Sequence, residues 1–470
     1  MRIPRYVIFL IVLVSAMAQA QLLVEFVASS DAPDATGYNN SHKIAPKHSS
    51  ASNDTINVVF HSSDSVYFVF TNDGGQSWSN PAAVYQGGYP AIDVCHMGLR
   101  HLTWQTYDPT HNTHEIYYDC IDDWHIPINI SQSAGQSVLP DLVVDSNGVV
   151  HIVWVEEMDG YTYIYYRTVW QYTLGDTVRL SNFGTNEATY SHPSISIFWP
   201  GDRIYAIWEC YDSLCYSPYQ IHLRYNENDT WSATTSWAHY LPMRHPSLDY
   251  SHGEDTISFC YEDSTSGNME AAFHGGNGGG YPTPGHSTYP VVSTVSDVWS
   301  YLFWQEDSAE HNTVYYHLYY QMSGWTRGSL SWIQETVRFP SVSGAYALWT
   351  QGDEPPYSIY FADFGYPIGV RGTEERTVTR IDAAPNPFRE ATRFTIERTE
   401  AEFDVRLQVF DVSGRLVKEF KTTVSPRGSA TLLWQGDDLA GNALPAGVYW
   451  CCMEDNDNGL RPLLKVTKIR

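Results

Sequence analysis

Apolar and polar residues alternate along most of this chain in runs of about five to eight, and nowhere do apolar residues recur at the spacing of a helix face. A proline opens six of these runs, at Pro90, Pro140, Pro193, Pro246, Pro290 and Pro340, giving intervals of 50, 53, 53, 44 and 50 residues. A large aromatic follows at a near-constant offset. It stands fourteen residues on at Trp104, Trp154 and Trp304, fifteen at Trp208 and Tyr261, and nine at Trp349 in a shortened last copy. Pro46 and Phe60, again fourteen apart, extend the register back by one unit.

Within a copy the pattern reads as strands. In the third, residues 140–144, 149–154 and 163–167 each alternate, and Asp145-Ser146-Asn147-Gly148 carries the Asn-Gly pair favoured in tight hairpins. The fourth repeats the design over 194–198, 204–208 and 221–225, with Trp231 opening a short outer strand. Three or four antiparallel strands in each repeat predict an all-β chain whose main body is a β-propeller. One such sheet cannot bury both of its faces, whereas a ring of them can. Seven registered units favour seven blades, with six as the alternative. The short last unit (338–363) is predicted to complete its sheet with residues 22–27.

The first unit holds the sharpest local motif, Thr71-Asn72-Asp73-Gly74-Gly75-Gln76-Ser77-Trp78. It resembles the Asp-box of sialidase-like (BNR-repeat) propellers through Thr71, Asp73, Gly75, Ser77 and Trp78. The residue types suit a hairpin tip: a carboxylate that accepts N–H groups, a glycine free to take positive φ, and an indole to pack beneath. Looser echoes stand at Tyr118 to Trp124, Tyr225 to Trp231 and Tyr320 to Trp325.

Charge separates the chain into two parts. Residues 21–370 carry 10 basic against 38 acidic side chains, while residues 371–470 carry 15 of each. The break sets a domain boundary near 370, with 371–380 as a charged linker. A surface this acidic excludes nucleic acid as a partner and leaves cations or basic ligands open. At the N-terminus Arg2 and Arg5, the apolar run 7–14 and Ala18-Gln19-Ala20 make the three-part pattern of a secretory signal peptide over 1–20. No later run approaches the roughly 18 apolar residues of a membrane span, so the mature chain is predicted to have none.

The segment 381–470 reads as a small antiparallel β-sandwich, its alternating strands punctuated by Gly, Pro and Asp turns. Its motifs are Pro385-Asn386-Pro387-Phe388; Phe410-Asp411 with Gly414; Trp434 with Gly436, Asp438 and Gly441; and Pro445, Gly447 and Tyr449. In this order they resemble the type A C-terminal sorting domain of the bacterial type IX secretion system. Phe410 and Gln435 depart from the usual pattern. The resemblance implies export to the periplasm, then passage across the outer membrane directed by this domain in partnership with the secretion machinery. Release or attachment at the cell surface would follow.

Candidate chemistry on the propeller is sparse. A sialidase needs three arginines, a Tyr/Glu nucleophile pair and an aspartic acid. Residues 21–370 hold eight arginines, and the F/Y-R-I-P signature is absent from the mature chain. The negative surface also repels a sugar acid. More suggestive are the acidic segments after each second-strand aromatic: Asp108; Glu156, Glu157 and Asp159; Glu209 and Asp212; Glu262 and Asp263; Glu306 and Asp307; Asp353 and Glu354. Propeller topology predicts that these loops share one face, opposite the turn at Asp73, so their carboxylates should crowd a rim. Such a rim suits a basic ligand or a hard cation such as calcium, but acidic loops selected for solubility are the reading preferred, and no cofactor is expected.

His111-Asn112-Thr113-His114-Glu115 imitates a metal cluster but lacks the helix that zincin spacing requires, and His311-Asn312-Thr313 keeps part of it. His101 and His151 are predicted core residues. The seven cysteines show no metal-ligand spacing, and Cys210 with Cys215 would make a local bridge. Three functions remain open: a non-catalytic module binding a glycan, protein or cation; a glycoside hydrolase or lyase at the central face; and a structural or adhesive surface component.

Overall fold

The computed structural model describes residues 23–364 and 380–469, apart from 39, 41, 47–54, 124–125, 182–187, 199–202, 228, 238–242, 251–256, 273–278, 282–284, 297–298, 308–311, 321–323, 331–334, 398–402, 412–414, 425–428, 440 and 456–458. The expected signal peptide and nearly all of the linker lie outside the described residues, as do Trp124, His311 and Gly414. Among the described residues there are strands and turns but no helix.

Seven antiparallel sheets follow one another along the chain: blade 1 over 44–86, blade 2 over 88–129, blade 3 over 136–179, blade 4 over 189–237, blade 5 over 243–281, blade 6 over 286–329 and blade 7 over 337–363. Blade 3 shows the plan. Its strands Gln136–Val144, Val150–Met158, Tyr161–Trp170 and Thr173–Leu174 pair in chain order. First strands of neighbouring blades lie against one another, including the last against the first, so the ring is closed. Closure is completed by Leu23–Ser30, which pairs antiparallel with Tyr357–Asp363 as the outer strand of blade 7.

The core sits between blades. Seven apolar clusters fill the seven junctions; one joins Val153 and Ile164 of blade 3 to Ile195 and Trp208 of blade 4, and another joins Phe361 of blade 7 to Ile56 and Phe60 of blade 1. The repeated aromatics Trp104, Trp154, Trp208, Trp304 and Trp349 are all buried there. Their fixed offset from the proline is thus a packing constraint, since each must reach the same junction.

The repeated proline has its own role. In blades 2 to 7 the register of the first strand slips by a bulge at the proline and the residue before it. That preceding residue has positive φ every time: Tyr89 (48°), Leu139 (53°), His192 (48°), His245 (48°), Tyr289 (49°) and Phe339 (52°). Left-handed backbone costs a non-glycine residue about 1–2 kcal/mol. Six copies of that strain re-aim six side chains.

The second unit is a sandwich. A sheet of Arg380–Ala384, Thr392–Glu397 and Ser429–Trp434 faces one of Phe403–Asp411, Leu416–Val424, Gly447–Asp455 and Gly459–Lys468. Phe388, Phe394, Leu407, Val409, Trp434, Tyr449 and Val466 make its core.

Candidate functional site

Register assigns the two faces of the ring. Gln136 pairs with Glu157, so the start of the first strand and the loop between second and third strands share a face. Ile56 pairs with Thr71, placing the turn at residues 71–78 on the opposite face. In that turn Asp73 Oδ1 accepts from Thr71 Oγ1 at 2.6 Å and Ser77 N at 2.9 Å, and Oδ2 accepts from Ser77 Oγ at 2.5 Å. These bonds, led by the Ser77 hydroxyl, hold the Asp73 pKa down at about 2. Gly75 N donates to Thr71 Oγ1, and Trp78 packs edge-on against Phe361 of blade 7. The turn ties blade 1 to the closing blade.

On the loop face most of the acidic residues do not stand on an open rim. Asp108, Glu156, Glu209, Asp212, Glu262, Asp263 and Glu306 are buried in the blade bodies. Glu156 accepts from Ser133, from Ser137 Oγ at 2.6 Å and from Trp154 Nε1 at 3.0 Å. Glu306 repeats this with Gly285 N, Ser287 Oγ and Trp304 Nε1. Asp108 and Asp263 cap their own loops through Thr110 N and Thr265 N, and Asp212 does so through Leu214 N. Asp307 accepts from Gln305. These carboxylates are spent on internal N–H and O–H groups, the common fate of a buried acid. Glu157, Asp159, Asp353 and Glu354 remain exposed.

The histidine run disperses too. His111 lies 3.2 Å from Asp108, His114 faces Gln136, and Glu115 is buried against Ser131 and Ser133 N. His101 and His151 each place Nδ1 2.7 Å from a tyrosine hydroxyl, of Tyr118 and Tyr166, inside the core. Cys210 and Cys215 stand as separate thiols rather than a bridge.

The ring's centre holds the chain's own N-terminal segment. The Tyr38 ring meets those of Tyr89, His192, Tyr289 and Phe339, four of the six strained residues, at 5.6, 6.1, 5.8 and 5.6 Å. Thr36 Oγ1 donates to Phe339 O, and Asn40 Nδ2 donates to Pro193 O. Lys43, fully buried, donates to Pro90 O at 2.7 Å. Burial pulls its pKa down to about 7. His42 Nδ1 lies 2.8 Å from Asp141 Oδ1, while Asp141 Oδ2 accepts from Ile195 N of the next blade. Burial alone would depress His42, but Asp141, joined by Asp93 and Asp249, outweighs it and lifts the pKa to about 9. Asp34, below the usual carboxylate range, accepts from Tyr89 OH and sits 3.2 Å from His61 Nε2. Blades 1, 2, 3, 4 and 7 all bond to this plug.

Beside the plug lies a constellation absent from the sequence reading. His192 and His245 occupy the same bulge position in adjacent blades, so the ring brings them together, 4.6 Å between centroids and perpendicular. With Glu209 they offer three ligand atoms within 4.8 Å of one another, the group of this kind among the described residues. The signal was available: aligned on the repeated proline, the preceding residues read Tyr, Leu, His, His, Tyr, Phe. Two adjacent imidazoles in one column mark the departure.

An open groove of about 670 Å³ runs between the loop ends of blades 2 and 3, lined among others by Tyr107, His114, Gln136, Glu157 and Asp159. Tyr107 is 52% exposed, its hydroxyl donating to Asn112 Oδ1 at 2.7 Å. Among the described residues the arginines do not converge. Arg167 and Arg224 donate to backbone carbonyls, Arg100 pairs with Asp122, Arg203 with Glu227, and Arg338 donates to Gly352 O.

In the sandwich the tail motifs form the strand junctions. Asn386 Oδ1 accepts from Thr467 N, and Pro385 and Pro387 flank it in an exposed approach to buried Phe388. Gly436 and Gly441 take positive φ around a turn where Asp438 accepts from Asn442 N. Tyr449 OH donates to Pro445 O just before the strand that Gly447 opens, while Asp411 ends the facing strand.

Residues 383–459 match the FlgD Ig-like domain family. No curated protein matches the chain in sequence. Solved structures that share its architecture include an α-L-arabinanase of Penicillium chrysogenum, at 11% identity and TM-score 0.45, covering 73% of this chain and 99% of that one. Virginiamycin B lyase of Staphylococcus aureus aligns at 9% identity and TM-score 0.44 over 73% and 99%. The polysaccharide lyase Uly1 aligns at 7% and 0.46 over 73% and 91%. The β-propeller itself rests on the closed ring of seven sheets, and an Ig-like domain follows it in this chain.

Proposed function

We propose that this chain is an exported, non-catalytic binding module that holds a neutral or basic glycan in the groove between blades 2 and 3. One observation carries the reading: exposed Tyr107 stands beside the exposed carboxylates of Glu157 and Asp159 on the same face, whereas buried Asp108, Glu156, Asp212, Asp263 and Glu306 are already bonded within their blades. A sugar ring can lay its apolar face on the phenol ring while its hydroxyls donate to the two carboxylates. The acidic surface selects against anionic sugars. The centre of the ring, where blades present most of their strained residues, is taken by Asp34, Thr36, Tyr38, Asn40, His42 and Lys43, which favours binding over a central catalytic pocket.

Export is part of the same proposal. The N-terminal pattern would deliver the chain to the periplasm, and the sandwich would act as the tag read by a type IX machinery, leaving the propeller secreted or at the cell surface. Supporting this is the way the tail motifs occupy structural junctions of one folded unit. The test is a glycan array followed by calorimetry on the full chain. Binding to a neutral glycan, weakened at least about tenfold by Tyr107→Ala, is expected, because the ring supplies the apolar contact. No binding across the array, or binding indifferent to Tyr107, overturns it. Deletion of 381–470 should leave the protein in the periplasm, and continued surface delivery would defeat the sorting role.

A further inference from the structure

We infer that His192, His245 and Glu209 form a binding site for one divalent transition-metal ion of the Zn²⁺ class beside the central plug. The argument begins with spacing. His192 Nδ1 and Glu209 Oε2 are 3.8 Å apart, and the three donors lie within 4.8 Å. Ligands at ~2.0–2.2 Å on a tetrahedral ion stand roughly 3.3–3.5 Å from one another. Side-chain adjustments of well under 2 Å close that gap.

The surroundings favour metal over packing alone. His245 Nδ1 lies 2.8 Å from Glu262 Oε2, which puts the proton on Nδ1 and the lone pair on Nε2. A carboxylate behind a histidine in this way is the usual support of a metal ligand. Packing has a different solution in the repeat. At the equivalent bulge position other blades carry Tyr89, Leu139, Tyr289 and Phe339, and only the two adjacent blades facing Glu209 carry imidazole.

Two nitrogens and one oxygen suit zinc, cobalt or nickel, and not the all-oxygen shell calcium requires. One group opposes. Arg244 Nε lies 3.5 Å from Glu209 Oε1, with its guanidinium over the Tyr219 ring. It competes for the carboxylate and repels a cation, so it sets the affinity below that of a bare His–His–Glu site.

The test is titration of the untagged, chelator-treated full chain with Zn²⁺ by calorimetry, with Co²⁺ as a visible-absorption probe of nitrogen ligation. One ion per chain is expected, uncompeted by equimolar Ca²⁺. His192→Tyr and His245→Tyr place at each site the residue that blades 2 and 6 already accommodate, so these variants keep the fold while abolishing the stoichiometric site. Glu262→Gln should weaken binding roughly 10–100-fold. Arg244→Gln should tighten it. Failure to bind one ion, or binding unchanged in both tyrosine variants with melting temperature preserved, overturns the inference.

Discussion

The ring of Tyr38 lies flat on that of Tyr89, 5.6 Å between centroids and 11° between planes, although the two belong to different structural roles: one on the central plug, the other on the strained bulge of blade 2. Tyr89 is fixed in turn by Asp34 of the same plug, 3.0 Å from its hydroxyl. The strain of the bulge is thereby matched by contacts that only the plug supplies. Tyr38→Ala removes ring contacts to four blades and is expected to destabilise the propeller by about 2 kcal/mol, below the range for a fully buried aromatic because Tyr38 is half-buried. Tyr38→Phe should cost much less. A lowered thermal midpoint for the first and a near-native one for the second would be the result; equal midpoints would show that the segment is not a fixed part of the ring.

The plug also carries a pH signature. His42 is raised to about 9 in the folded chain against Asp141, from an ordinary 6.5. A raised basic pKa adds stability that is complete below the unfolded value and disappears as pH climbs through the folded one. The window is therefore pH 6.5 to 9, and the contribution is on the order of 1–3 kcal/mol. Lys43, lowered to about 7 by burial, works in the opposite sense: its folded form sheds a proton the unfolded chain keeps, so stability rises from about pH 7 upward. The difference between wild type and His42→Gln separates the two. The variant should be less stable at pH 6, with the gap narrowing by pH 9. A gap independent of pH would sink the assignment.

Gly75 makes the junction of first and last blades a tight one. A Cβ there would sit 2.3 Å from Phe361 Cε1, on a residue whose φ is +93°. Overpacking and left-handed strain add, so Gly75→Ala is expected to cost roughly 2–4 kcal/mol. Loss should centre on ring closure, read as faster hydrogen exchange in Leu23–Ser30 and Tyr357–Asp363. Gly148→Ala is the control: nothing lies within 4 Å of its Cβ, though its φ of +78° still carries the backbone term. Equal effects at both positions would mean that contact with Phe361 is unimportant.

How much of this was legible without coordinates depends on distance in space. The proline-to-tryptophan offset announced the blades because both residues answer to the same junction, within one copy of the repeat. The strand that closes the ring was legible too, as a spare alternating run ahead of a short last unit; it spans Leu23–Ser30, three residues beyond the expected end. The acidic residues misled. Glu156 and Glu306 look like loop acids, yet each bonds the tryptophan two positions earlier, which points into the same junction. The plug left no trace, since Tyr38, Asn40 and Lys43 sit in a stretch with neither period nor motif. His192 and His245 were legible only as a column across copies, not as neighbours along the chain.

In the sandwich Trp434 joins the first and the last of the tail motifs. It is fully buried, stacks near Phe394, meets Phe388 and Tyr449, and donates from Nε1 to Asp437 O at 3.0 Å. Trp434→Ala removes the centre of this core and strands a backbone carbonyl, at an expected cost of about 3–5 kcal/mol. A small domain has on the order of 5–15 kcal/mol in total, so the tail should open locally while the separately cored propeller survives. Limited proteolysis should then cut within 381–470 and leave the ring intact. Phe388→Leu keeps most of the volume and should open the tail less. If the tail is the export tag, surface delivery should fall in the same order, Trp434→Ala before Phe388→Leu, because a machinery that reads a folded surface loses its target in proportion to the unfolded fraction. Delivery unaffected by an opened tail would mean that recognition rests on linear sequence, and that the packing around Trp434 serves stability alone.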